Sequence, residues 1–116
     1  MEYVELYHWT NRAALGKIMR EGLRRGSYAS LAPACAYAKY FSDWSKGFPE
    51  ELVVLKIRVP ARCVEEDPFG ECVDEETGEI LDKRVTCRVR PEDIKVLSER
   101  VKKLMMEESR YIGDPP

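Results

Sequence analysis

Residues Tyr3 to Trp9 form a stretch in which both faces of an extended strand would be largely apolar. Val4, Leu6 and His8 fall on one side, and Tyr3, Tyr7 and Trp9 on the other. Such a strand needs cover above and below, so it belongs inside a sheet with further elements on both faces. It also carries His8, the one histidine among 116 residues, just before the pattern changes to helix near Asn11. At a corner between a strand end and a helix start, backbone N–H groups and a polar side chain can meet a ligand.

The rest of the chain supplies the cover. Thr10 or Asn11 is suited to cap a helix whose apolar stripe is Leu15, Ile18 and Met19, with Gly22 as its C-cap. Arg12, Lys17, Arg20, Arg24 and Arg25 make this region the one dense cationic cluster, a pattern that is usually a solvated face. Gly26 to Ser30 reads as a short strand or extended link. Pro33 suits the first turn of a second helix reaching Trp44, with Tyr37, Tyr40, Phe41 and Trp44 at core spacing. Ser45 to Pro49 is a loop. Leu52 to Val59 is the clearest strand: Leu55, Ile57 and Val59 line one face, Lys56 and Arg58 the other, and Pro60 stops it.

Residues 61–83 are acidic and turn-rich. Asp74 to Gly78 forms the tip of a hairpin or exposed loop between Glu71-Cys72-Val73 and Ile80-Leu81. Arg84 to Val89 is a further strand with Val85, Cys87 and Val89 inward. Pro91-Glu92-Asp93 turns into a short strand from Ile94 to Leu97. Ser98 caps a last helix with Val101, Leu104 and Met105 as its apolar positions. Helices early and strands late predict a single α+β domain over residues 1–112, followed by a frayed tail, 113–116.

Composition narrows the functional classes. Nineteen Lys and Arg against 21 Asp and Glu leave a net charge of -2, unlike a general nucleic-acid binder. No apolar run approaches a membrane span and no signal-peptide pattern opens the chain, so a cytoplasmic location is expected. Abundant Glu, Lys and Arg suggest a thermophile. Cys35, Cys63, Cys72 and Cys87 contain no Cys-x-x-Cys pair, and one histidine does not complete the common zinc spacings, so no metal is expected. The cysteines are expected to be small buried hydrophobes, with a Cys63–Cys72 bridge as the alternative. Glycine-rich nucleotide loops and a serine nucleophile elbow are absent from the sequence. Cys35 with His8 as base matches nucleophile chemistry in residue types alone.

Four fragments remain: Tyr7-His8-Trp9-Thr10, Ile18-Met19-Arg20-Glu21-Gly22-Leu23, Tyr28-Ala29-Ser30-Leu31 and Ala34-Cys35-Ala36-Tyr37-Ala38. Their order resembles the opening of ADP-ribosyltransferase-fold proteins. Arg84-Val-Thr-Cys-Arg-Val-Arg-Pro-Glu-Asp-Ile94 is similar to the close of the RNA 2′-phosphotransferase-like and DNA-modifying branches. The resemblance spans roughly residues 3–97. It implies a compact split, curved sheet with flanking helices, and NAD as cofactor. It further implies ADP-ribose transfer, or NAD cleavage, with a nucleic-acid or protein acceptor.

By the same resemblance His8 would bond a ribose hydroxyl, with Thr10 and Ser30 beside the cofactor. Tyr28, or Tyr37 from the helix, would stack on nicotinamide. A carboxylate near the ribose would stabilise growing positive charge. The family's glutamate opens the strand matching Arg84 to Val89, where this chain has Lys83 or Arg84. Asp82 is then the carboxylate taken for the role, with Glu79 also near. Lys83, Arg84, Arg88 and Arg90 suit a second reading, a non-catalytic module binding a nucleotide or RNA. A third is a small protein-interaction domain using strand edges and the last helix.

Overall fold

The computed structural model describes residues 2–41 and 51–113, with side chains over 2–40 and 51–107. Six strands and three helices follow in the order β1 (Tyr3–Asn11), α1 (Arg12–Glu21), β2 (Tyr28–Ser30), α2 (Pro33–Phe41), β3 (Leu52–Pro60), β4 (Val64–Glu66), β5 (Asp82–Val85), β6 (Ile94–Val96) and α3 (Glu99–Gly113). The sheet order is β4-β5-β2-β1-β3-β6, with every neighbouring pair antiparallel. The domain is α+β, as the element order predicts.

The doubly apolar β1 sits inside the sheet. It pairs with β3 in one register from Tyr3↔Pro60 to Asn11↔Leu52, and with β2 only at Tyr7↔Ser30. The expected split into two halves is therefore replaced by one continuous hydrogen-bonded sheet, narrowest at that seam. There His8 Nδ1 lies 2.7 Å from the Tyr28 carbonyl oxygen, so a side chain adds to the short ladder.

Each face has its own core. On the α1 side Leu6, Leu55, Ile57, Val59 and Val85 are fully buried, and Leu15 and Ile18 of α1 pack on them. On the other side Trp9, Leu52 and Val54 meet Ala36 and Tyr40 of α2, with Tyr37, Met105 and Met106 alongside. Burying one such large side chain contributes about 1.5–3 kcal/mol.

The caps behave as their residue types require. Asn11 Oδ1 accepts the Ala14 N–H at 2.8 Å, and Ser98 Oγ accepts the Val101 N–H at 3.3 Å. The acidic tip closes through the Val73↔Ile80 bridge, the Asp74 N–H to Glu79 O bond and the Gly78 N–H to Asp74 O bond.

Several expectations are corrected. Met19 is 37% exposed and Leu104 58% exposed, because Leu15 with Ile18, and Met105 with Met106, already fill the facing grooves. Lys102, polar by type, is buried instead: its ammonium donates to Leu52 O at 2.9 Å and pairs with Glu99 at 2.7 Å. The strand expected over 84–89 begins at Asp82 and stops at Val85; Val89 makes a separate bridge to Leu23. The short β4 falls inside the stretch expected to be turns. Expectations for Phe41's side chain, for 42–50 and for the tail after Gly113 lie outside the described residues.

The cysteines are not four thiols, nor is Cys63 bridged to Cys72. They pair as Cys35–Cys72 and Cys63–Cys87, with Cα atoms 6.2 and 5.4 Å apart. The cause is tertiary. Val64 is opposite Val85 in the β4–β5 ladder, which brings Cys63 beside Cys87, while the hairpin folds back to set Cys72 against α2. Cys35 is thereby removed as a nucleophile for His8. No helix among the described residues is long and apolar enough to cross a membrane.

Candidate functional site

The α1 side of β1 carries His8, and above it lies a cavity of about 650 Å³, within the range of ligand sites. Its far wall is set by a single glycine. Gly22 has φ +82°, and a Cβ there would stand 1.9 Å from Val89 O. That close approach lets Leu23 and Val89 exchange hydrogen bonds of 2.9 and 3.0 Å. The resulting turn folds residues 86–90 against the end of α1. Arg88 is held there by its Nε donating to Glu21 O at 2.9 Å.

Lys17, Arg20, Arg24 and Arg88 all line the cavity, with Ser27 between them; Glu21 is the one carboxylate among its described lining residues. The cluster that reads as a solvated face in sequence thus contributes three lining residues, Lys17, Arg20 and Arg24, to a concave site. Arg12, by contrast, pairs with Glu99 of α3 at 3.1 Å. A carbonyl oxygen only accepts, so the contact with Tyr28 O puts a proton on His8 Nδ1. The cavity therefore offers cations for phosphates and an imidazole for a hydroxyl.

The other expected residues occupy the opposite face, apart from Thr10, which is buried on the His8 side. The Tyr28 hydroxyl donates to Asp82 Oδ1, and Asp82 Oδ2 accepts the Glu71 and Cys72 N–H groups, both at 3.2 Å. Asp82 is only 4% exposed. Burial first, then the hydrogen bond to this carboxylate, hold the Tyr28 phenol protonated far above its ordinary range. The Lys39 ammonium sits 5.7 Å from the centre of the Tyr28 ring. Ser30 is fully buried, donating to Leu81 O at 3.0 Å and accepting the Ala32 N–H at 3.2 Å. Tyr37 meets Trp9 edge-on at 4.9 Å, and Trp9 Nε1 donates to Pro33 O at 3.0 Å.

The structure thus brings Tyr28, Ser30 and Asp82 together, places Tyr37 on the same side, and sets His8 and Thr10 across the sheet from them. His8 meets Tyr28 through the Tyr28 backbone carbonyl. Of the later basic residues, Arg88 reaches the cavity, whereas Lys83 pairs with Glu79 at 3.4 Å and Arg84 lies 3.8 Å from buried Asp67. Glu21 and Ser27 are lining residues that sequence reasoning did not single out; no motif marks either.

These features define an α+β domain with a cationic, histidine-walled cavity. Compared with known proteins, the chain matches no family model, and no curated protein is similar to it at a significant level.

Proposed function

We propose that the cavity above His8 binds a nucleotide, NAD in the first instance, and that the chain is an ADP-ribosyltransferase-like protein acting on NAD with a macromolecular acceptor. The observation that carries the reading is the joint lining of one cavity by His8, Lys17, Arg20, Arg24 and Arg88. Two phosphates need cations with several donors, which arginines supply. A ribose hydroxyl needs a partner that carries no buried charge, which a neutral imidazole supplies. The ordered fragments around His8 add the family resemblance. Transfer would break the bond between ribose and nicotinamide, and Glu21 is the carboxylate within the cavity to face the positive charge that develops.

One observation favours the second reading, a non-catalytic module for a nucleotide or RNA end. Asp82 is buried on the other face and spends its oxygens on Tyr28, Glu71 and Cys72. Calorimetry with NAD on wild type and His8→Ala, with mass spectrometry for released nicotinamide, separates the two. Binding that weakens about tenfold or more in the variant, with nicotinamide released, is the expected outcome for a transferase. Binding without release leaves the module. The absence of NAD or ADP-ribose binding at millimolar concentration in both proteins removes the nucleotide reading.

A further inference from the structure

A second concavity, of about 320 Å³, lies beyond Arg88 and is built around a disulfide. Arg58, Arg62, Arg88 and Arg90 line it, together with Cys63 and Cys87. Asp93 is its one carboxylate among the described lining residues. The Arg58 guanidinium is stacked 3.9 Å from the centre of the Tyr3 ring, and Arg90 is shared between Glu92 at 3.1 Å and Asp93 at 3.4 Å. Four guanidinium groups line the concavity against Asp93 in its wall and Glu92 beside it, so cationic side chains outnumber these carboxylates.

The two sulfurs are not equivalent. Cys63 is buried in the α1-side core, whereas Cys87 is only partly buried and packs on that core from outside. An incoming nucleophile therefore meets Cys87 first. The other disulfide has the opposite surroundings: the Cys72 N–H donates to the buried Asp82 carboxylate, and the acidic hairpin follows directly. A negative reagent is drawn to one disulfide and repelled from the other.

We propose that this concavity is a docking site for small anionic thiols, and that the Cys63–Cys87 bond exchanges with them. The thiol gives its proton to water. Its thiolate attacks Cys87 Sγ, the S–S bond breaks, and Cys63 Sγ leaves as a thiolate that takes a proton from water. The product is a mixed disulfide on Cys87. A second thiolate attacks the sulfur of the bound thiol and expels the Cys87 thiolate. Two thiols are then oxidised to their disulfide while the protein bond is reduced to two thiols. The arginines concentrate the anionic reagent and stabilise thiolate at the site. The proposal does not depend on nucleotide binding.

Mercaptoethanesulfonate, mercaptoethanol and cysteamine differ little in size and carry negative, zero and positive charge. Each is added to the oxidised full-length chain, with rates normalised to thiolate concentration. Differential alkylation and mass spectrometry locate the bond that opens. The anionic thiol is expected to open Cys63–Cys87 about tenfold faster than the cationic one at low ionic strength, with the adduct on Cys87. The advantage should vanish near 1 M salt, where the screening length falls to about 3 Å. A double variant, Arg62→Gln with Arg90→Gln, should lose the preference, slowing the anionic thiol, whose attacking thiolate carries two charges, more than the neutral one, whose thiolate carries one. Equal normalised rates for the three thiols overturn the proposal. So does earlier opening of Cys35–Cys72, an adduct on another cysteine, or a preference that survives in the double variant. The salt series on wild type tests the same claim without any substitution.

Discussion

Tyr28 and Asp82 illustrate how one pair of side chains serves packing before chemistry. Asp82 accepts one hydroxyl and two backbone N–H groups, so its charge is compensated from three directions although it is buried. Tyr28→Phe removes the hydroxyl donor and leaves that carboxylate one partner short. A loss of about 1.5–3 kcal/mol in unfolding free energy is expected near neutral pH, read from urea midpoints. The pH dependence follows from the direction of the Tyr28 shift. Its phenol holds its proton more tightly in the folded chain than at the ordinary value of 10.0. The associated stability is full below that value and is lost as pH rises above it, because the unfolded chain releases the proton first. The deficit of Tyr28→Phe should therefore shrink between about pH 8 and about pH 11. A deficit that stays constant or grows over that interval would show that the phenol is not held protonated.

Among elements, the decisive one is the turn after α1. The helix ends because Gly22 alone among residue types accepts φ +82° with a carbonyl so close. Gly22→Ala should cost at least about 2 kcal/mol, from left-handed backbone plus displacement of residues 88–90. Because Arg88 belongs to the displaced segment, the same variant should weaken the NAD binding proposed for this cavity beyond what a stability loss explains. Calorimetry on the folded fraction, fixed by circular dichroism, checks this. Gly22 with Leu23 is legible in sequence as a helix stop. The partner that makes the stop indispensable, Val89, lies 67 positions beyond Gly22 and is not.

For the molecule as a whole, the two disulfides close segments with sequence separations of 37 and 24. In the chain-entropy account each is worth about 3–4 kcal/mol, with the longer segment slightly ahead. Cys35→Ser with Cys72→Ser should lower stability by about that amount, and treatment with a strong reductant should lower it further by opening the second bond. Thermal unfolding scans of both proteins, oxidised and reduced, measure the steps separately. Two disulfides fit an oxidising compartment as well as the interior of a thermophile.

What the sequence by itself determined is local. Alternation and its breaks located β1, β3 and β6, and capping types located the start of α1 and α3 and the stop at Gly22, because these depend on neighbours within a few residues. The same local logic drew attention to His8, but β1 continues to Asn11, so His8 stands within the strand and not at its corner with α1. Partnership was decided only by the tertiary structure. Which cysteines meet, whether Lys102 is buried, which of Arg84, Arg88 and Arg90 reaches the His8 cavity, and on which face Asp82 lies all depend on the sheet order β4-β5-β2-β1-β3-β6. Alternation assigns a residue to one of two faces within its own strand. It does not say which strand lies beside which, and a single pairing such as Tyr7↔Ser30 is enough to set Tyr28 and Asp82 across the sheet from His8.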